Sequence, residues 1–574
     1  MLARIRAVPW LTPVMFVLLT LLARLPYLGL NAHQLDYHIL WHWSQQMYEA
    51  NVGFYSASQA NHPPLYLSIN GLTVPLSFAT DAGPGLSNKI RLSLPSVIAD
   101  LILVAVAAHW LRDRGRTRAV VLLLLALHPG LIINSAMWTQ SDAIFTLFLV
   151  FTVMALHDGR PRVAWILYAF AMLTKAQSIV LLPLLVIVTY RRHSLNILVR
   201  AALTGASVWW VGLLPFIVGS GLEATLRPYT GAVNYNPITT MNAYNVWVAF
   251  DPGYWQGIMG PNGSVDAKPS WIPGLQMLTH QQVGLILMTA YMLPLFLLIW
   301  RRAHEHHEFL WAAALYFGFF MLPTQIHDRY LYPGIVMATF AISQDRRIIL
   351  VVLFSMVTFT YNLLAVTSEP ALWIGTPLSW LVGNFPPHTA LANVMLFGVL
   401  VMFLVFRRST PLLKVARYLA VIAILALLLT RHYGGSRVPT PAVFLSDVHV
   451  ADAAIIAYRI GFSENQASVD LFMRAERPIL TRYDGMVELL AEGEVIAMQD
   501  SSDSETYPGS WRWTQWGADA LTYSVDLTDL PMPDQVRVTF REYRTGRTLD
   551  IRRGEASVEE NNLTLAVPAA LLGG

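Results

Sequence analysis

Long apolar runs recur along the first three quarters of this chain and restrict it to one architecture. About 20 apolar residues suffice to cross a bilayer, and in lipid the backbone polar groups must be satisfied inside the segment, as a helix does. Such runs read at about 8–28, 89–110, 119–136, 140–156, 162–174, 178–190, 198–219, 281–300, 309–324, 331–343, 347–366, 388–406 and 413–430, thirteen in all. Only 13% of the 574 residues are charged, against about 25% in a typical soluble chain. The expected fold is an α-helical polytopic membrane protein with about 13 transmembrane helices. The stretch 162–190 reads as a broken helical hairpin, and broken helices at membrane depth line cavities.

Charge divides the chain in two. Residues 1–440 hold 28 Lys and Arg against 15 Asp and Glu, while 441–574 hold 11 Arg, no Lys and 21 acidic residues. The expected domains are therefore a transmembrane domain, 1–440, and an acidic soluble domain, 441–574. Within the first, arginine clusters sit between the apolar runs: 112/114/116/118, 160/162, 191/192, 301/302, 346/347 and 407/408. With Arg4 and Arg6 placing the N-terminus in the cytoplasm, every cluster falls on the cytoplasmic side. An odd number of spans then puts the acidic tail outside. On that side also lie the loop 29–88, the turn Met137–Gln140, the loop 220–280 and the turn Gln325–Tyr330. Counting 64–80 as a span would move the four-arginine loop outside, so it belongs to the exterior loop. The first apolar run lacks a small-residue cleavage site, so no cleavable signal is expected.

The tail alternates in places. Val536, Val538 and Phe540 share one face, and Arg544–Arg547 reads as a turn before Leu549 and Ile551, which is a hairpin signal. The expectation is a β-rich domain. Trp511, Trp513 and Trp516 fill its core or offer a sugar-binding surface.

Several chemistries are excluded or disfavoured. The chain has no cysteine, which removes disulfides and thiolate metal sites. No glycine-rich phosphate loop is present, against ATP-driven transport. The basic residues form no nucleic-acid stripe. The run His304-Glu305-His306-His307-Glu308 has metal-ligand spacing but sits beside Arg302 in a cytoplasmic connector, and it reads as a solvated linker. No metal or cofactor is expected.

The candidate chemistry lies in the exterior segments. Asp36 is a carboxylate just outside the membrane, among His33, His38, Trp41, His42 and Trp43. By position alone it is either a proton-accepting base or a helix cap. Lys175 lies inside the apolar hairpin, away from the arginine clusters, and an intramembrane charge is a functional candidate with an anionic partner to be found. Asp142 is the candidate for that partner. The pair is structural, or Lys175 meets a phosphate or another part of a substrate. His327 and Arg329 stand at an exterior helix end where they can hold a phosphate, since a guanidinium binds phosphate bidentately. Arg227 is a second phosphate candidate. Gln140 and Gln177 are sugar-hydroxyl ligands or helix links. Asn242, Asn245 and Trp247 shape a pocket or serve the structure of their loop, and Asp100 stabilises helix packing instead of contacting substrate.

The order of these elements resembles a known family. Asp36-Tyr37, then His42-Trp43, then His62-Pro63-Pro64-Leu65 is similar to the first luminal loop of the dolichyl-phosphate-glucose-dependent glucosyltransferases of N-glycan assembly, membrane glycosyltransferases of the GT-C class. Asn88-Lys89-Ile90-Arg91 with Val97–Leu101 resembles that family's second helix. His128-Pro129-Gly130-Leu131-Ile132, Trp138–Asp142, Lys175-Ala176-Gln177, Asn242–Trp247 and Ile326–Arg329 resemble further elements in the same order, across about residues 20–335. The chain departs from the pattern at His62, at Asp328-Arg329 and in the longer Trp138–Asp142 segment, whose Trp-x-Gln-x-Asp form is similar to that of bacterial relatives. The resemblance implies a GT-C-like inverting transferase. It would take glucose or mannose from a polyprenyl phosphate donor, without a nucleotide sugar or essential metal, and act in the plasma membrane of a prokaryote. It implies Asp36 as base, with His42, Trp43 and His62 beside the substrate, and says nothing of the tail.

The preferred function is a glycosyltransferase moving a hexose from polyprenyl phosphate to a lipid-linked or other exterior acceptor. The alternative is a secondary transporter or lipid flippase, which intramembrane Lys175 and Asp142 suit but for which no inverted repeat is visible. A third is a non-catalytic scaffold for the tail.

Overall fold

The computed structural model describes residues 11–30, 33–76, 86–231, 238–250, 265–266, 277–366 and 386–405, and in the tail 443–445, 448–451, 453–463, 466–475, 483–500, 519–528, 530–542, 547–553, 556–557 and 562–567. These fall into two compact units. The first lies within Met1–Trp247, Ser264–Glu369 and Ala390–Ala420, and the second within Val248–Gly263, Pro370–Thr389 and Val421–Gly574.

The first unit is helical. Five helices among the described residues are long and apolar enough to cross a membrane: Leu86–Trp110, Leu195–Ser220, His280–Glu305, Ile348–Val366 and His388–Val405. A sixth crossing is complete if the bent pair Arg116–Leu127 and Pro129–Met137 is one span. Val211 and Val218 on Leu195–Ser220 are 68% and 81% exposed, and a long helix open on an apolar face fits a lipid surround.

Among the described residues, full-length crossings are thus fewer than the thirteen expected for the whole chain, and the sequence explains where the runs are cut. Shorter apolar helices occupy Asp142–His157, Pro161–Thr174 and Glu308–Met321. Proline does much of the cutting. It has no N–H, and it pushes the preceding residue out of helical conformation. His128 is accordingly extended, at φ −64° and ψ 112°, and the chain bends by 47° between Leu127 and Pro129. The second arm ends in a π turn, Ile133–Met137, and delivers Trp138–Gln140. The hairpin over 162–190 breaks at Lys175, extended at φ −155° and ψ 129°, before the 3-10 turn Ala176–Leu181 and the helix Leu182–Arg192. The expected span 413–430 and the residues Arg4 and Arg6 lie outside the described residues.

Buried charges fasten this unit. Arg24 meets Asp100 at 2.7 Å, with both side chains 1–2% exposed. It also donates to the Ala126 carbonyl, and Tyr332 donates to Asp100 at 2.6 Å. Asp100 therefore joins three helices, in keeping with a packing role. Lys89 is buried, has no carboxylate contact among the described residues, and donates to the carbonyls of Leu28 and Ala136 and to Ser93. It occupies carbonyls left over where two helices end.

At the other end of Asp142–His157, Glu308 is fully buried. It pairs with Arg192 and accepts from His157 at 2.8 Å. The connector 304–308 is therefore not wholly solvated, as the sequence had implied: its last residue is an ion-paired anchor. His157, His306 and Glu308 bring ligand atoms within 4.8 Å of one another. The guanidinium of Arg192 already compensates the only carboxylate there, which makes the group an ionic knot rather than a cation site.

The strand-rich unit confirms the alternation in the tail. Strands Leu563–Ala566, Gln535–Glu542, Tyr483–Ala491 and Glu494–Asp500 form one sheet in that order. The second sheet runs Ala556–Ser557, Ile551–Arg553, Val448–Val450, Ala453–Ser463, Gln466–Ala475 and Asp519–Asp526. Val536, Val538 and Phe540 point into a core shared with Val450, Leu471 and Val487 of both sheets, the arrangement of a sandwich. The expected hairpin partner changes sheet. Leu549 still donates to the Phe540 carbonyl at 2.8 Å, but Ile551 pairs with Val450 on the neighbouring strand of the second sheet. Trp511, Trp513, Trp516, most of the turn 544–547 and the boundary at 441 lie outside the described residues.

Candidate functional site

Asp36 lies in the first turn of the helix Gln34–Ala50, where a carboxylate complements the helix dipole. His33 caps that helix, its Nδ1 accepting from the Asp36 backbone N–H at 3.2 Å. The carboxylate is 23% exposed. Its Oδ2 accepts from Trp138 Nε1 at 3.0 Å and from Gln140 Nε2 at 3.1 Å, and Arg329 stands 3.5 Å away. Among the described residues, Oδ1 has His33 Nδ1 near it, at 3.6 Å, and no hydrogen-bond donor. That nitrogen already accepts a hydrogen bond from the Asp36 backbone N–H. Three groups thus hold one oxygen, and among the described residues no hydrogen-bond donor reaches the other.

The bent helix pair makes this possible. After the π turn, Thr139 takes a left-handed conformation at φ +59°, so Trp138 and Gln140 on either side of it reach the same carboxylate. Trp138 also stacks on His33, with ring centres 5.5 Å apart, and lies 5.7 Å from the Arg329 guanidinium. Tyr66 donates to the Thr139 carbonyl and Ser96 to that of Gln140, which fixes the segment from both sides.

A second irregular segment brings in Arg329. Residues Thr240–Met241 pair in parallel with Ile326–His327. Gln325 and Asn242 both have positive φ, +63° and +60°, a costly choice for non-glycine residues that clusters at functional sites. Asn362 spans the gap, donating to the Asn242 carbonyl and accepting from Tyr244 N–H. Asn245 and Trp247 donate to carbonyls of Phe320, Leu322 and Pro323. These Asn and Trp residues hold the loop that presents His327, Asp328 and Arg329.

Lys175 closes the third side. It meets Asp142 at 2.6 Å, with both buried, and Asn134 donates to the other Asp142 oxygen at 3.2 Å. The ammonium sits between the rings of Phe145 and Tyr330, at 5.3 and 5.4 Å. The ion pair is therefore present, and Asp142 already compensates the Lys175 charge. Gln177 bonds Tyr330, while its Oε1 has no partner among the described residues.

The charges follow from these contacts. Burial works against ionised Asp36, but Arg329, His33, His327 and the Trp138 hydrogen bond outweigh it and hold the carboxyl below its ordinary range. Asp328, buried beside the same guanidinium, goes the other way. Burial and the Asp36 charge push it up to about 7, against the pull of Arg329. Burial, then the charges of Lys175 and Arg329, lower His62 to about 3. Burial and Arg329 likewise lower His327.

The structure therefore brings together Asp36, Gln140, Asp142, Lys175, Gln177, His327 and Arg329. His62 and Trp43 adjoin them, with ring centres 5.6 Å apart. Trp43 lies seven residues after Asp36, hence on the same helix face. His42 does not share that face and is exposed. Arg227 is also set apart. Its guanidinium donates to the Ser58 carbonyl and Gln59 side chain, so it fastens the first loop. Sequence reasoning missed Trp138 as the donor to Asp36, Asn134, and Asp328 as a group distinct from Arg329. The signal for Trp138 was its spacing of two from Gln140 in a short turn between apolar runs. No protein-family model matches the chain, and no curated protein matches it.

Proposed function

We propose that the chain is an inverting glycosyltransferase that moves a hexose from a polyprenyl phosphate to a hydroxyl acceptor. The observation that carries the reading is the asymmetric hold on Asp36: one oxygen fixed by Trp138, Gln140 and Arg329, the other reached by no hydrogen-bond donor among the described residues. An ionised, oriented carboxylate with a free oxygen is what a general base requires. The acceptor oxygen attacks the anomeric carbon while its proton passes to Asp36 Oδ1. The bond from that carbon to the phosphate oxygen breaks, and its electron pair leaves on the phosphate. A phosphate leaving group needs no proton at neutral pH. Arg329 is the cation placed to meet it, and preorganised charge of this kind lowers barriers where charge develops.

The topology reading is consistent with helix geometry. Asp142 begins the helix that His157 ends, so the Asp36 cluster and the Arg192–Glu308 knot are about 22 Å apart along it at 1.5 Å per residue. The cluster would face the exterior, where a lipid-linked donor arrives from the bilayer, and the arginine-rich ends the cytoplasm. Purified protein given labelled polyprenyl phosphate mannose or glucose with a panel of acceptors tests the reading. Acceptor-dependent release of polyprenyl phosphate is expected. Accumulation of lipid donor on the opposite leaflet of a vesicle, with no release, would favour a flippase instead.

A further inference from the structure

Arg329 contacts two carboxylates. Its Nη1 lies 3.5 Å from Asp36 Oδ2 and 3.5 Å from Asp328 Oδ1. Asp36 has its neutral donors, Trp138 and Gln140, in addition. Asp328 is 1% exposed, and its Oδ2 has no hydrogen-bond partner among the described residues, nor has Nε of Arg329. A buried polar atom without a partner costs about 1–3 kcal/mol, which marks both atoms as waiting for a ligand. If both carboxylates were ionised, the guanidinium would be overcompensated and would repel an incoming phosphate.

We propose that Asp328 is a second substrate-contacting residue, which binds the donor phosphate in its neutral acid form by donating a hydrogen bond from Oδ2 while Arg329 supplies the charge. The inference rests on the glycosyltransferase reading above, since it takes the ligand to be a sugar phosphodiester on a lipid. No proton is transferred in this role. The acid O–H stays on Asp328 and strengthens its bond as charge develops on the leaving phosphate. The two carboxylates thus divide the work, ionised Asp36 taking a proton and neutral Asp328 keeping one, as when environments push paired acids apart.

The surrounding charges support this division. The groups acting on Asp328 are Arg329, Asp36, Asp142 and Lys175, with Tyr330 beside it. Burial raises Asp328 to about 7, so the acid form is well populated at neutral pH. The neighbouring imidazoles shift the opposite way, because burial lowers His327, His33 and His62 below the ordinary imidazole value. A phosphodiester does not titrate there either.

The experiment measures binding of a polyprenyl phosphate hexose to the full chain in nanodiscs between pH 6 and 9. Affinity should hold below about pH 7 and then fall, approaching tenfold per pH unit as the proton needed for binding is lost. Asp328→Asn, which keeps a donor and has no charge, should bind at pH 8.5 as wild type binds at pH 6, with a flat profile. Asp328→Ala should be flat and weaker throughout. A wild-type profile independent of pH, or an unchanged slope in Asp328→Asn, overturns the Asp328 role while leaving donor binding intact. No binding at any pH overturns this inference together with the transferase reading.

Discussion

Trp138→Phe is the perturbation that most directly probes how Asp36 is held. Phenylalanine keeps a ring to stack on His33, now 5.5 Å away from the indole, and to lie near Arg329. It removes only the N–H that donates to Asp36 Oδ2 at 3.0 Å. A hydrogen bond to a charged acceptor contributes about 1.5–3 kcal/mol, and one pKa unit corresponds to about 1.4 kcal/mol. Because the carboxylate is only 23% exposed, little of that is lost to screening by water. The folded Asp36 lies below its ordinary range, so its base form is lost as pH falls through the folded value. Removing a donor raises that value. The acid limb of the kcat/KM profile should move up by about one pH unit or more, measured as polyprenyl phosphate release with labelled donor. Activity on the plateau should persist, because Gln140 and Arg329 still hold the carboxylate. An acid limb that stays in place in a folded variant would refute the claim that Trp138 stabilises the ionised base.

Two further outcomes concern the buried pairs. Lys175→Met should destabilise the detergent-solubilised protein by about 3–5 kcal/mol, by leaving Asp142 uncompensated, and Lys175→Met with Asp142→Leu should recover much of it in the same unfolding assay. Recovery of stability together with donor binding makes Lys175 structural, whereas recovery of stability alone assigns it to the substrate. Arg24→Met should cost a similar amount, by stranding Asp100 between the helices that Ala126 and Tyr332 belong to, and should leave the pH profile of transfer unmoved.

Local grammar was readable in the sequence, and long-range pairing was not. The break at Lys175 and the buried turn carrying Trp138 follow from polar or proline residues interrupting apolar runs. The alternation of Val536, Val538 and Phe540 follows from strand geometry. Arg24 and Asp100 are separated by 76 residues, and His157 and Glu308 by 151. No periodicity links such partners, so Glu308 was misjudged as solvated. His42 was grouped with Asp36 by proximity in the chain, yet six residues along a helix turn it away from Asp36. Arg227 reads as a phosphate candidate in the sequence because its acceptors, the Ser58 carbonyl and Gln59, lie in a loop whose path the sequence does not reveal. Ile551 changed sheets because a hairpin signal sets the turn of the chain but not which edge the next strand finds.

The central claim is that Asp36 removes the acceptor proton in a transfer from polyprenyl phosphate. Asp36→Asn keeps the shape of the side chain and its place against Trp138 and Gln140 but cannot accept that proton. With an acceptor established for the wild type, single-turnover transfer by folded Asp36→Asn should fall by about 100-fold to 10,000-fold, the usual weight of a general base, while donor binding persists. Transfer at the wild-type rate in that variant would contradict the account.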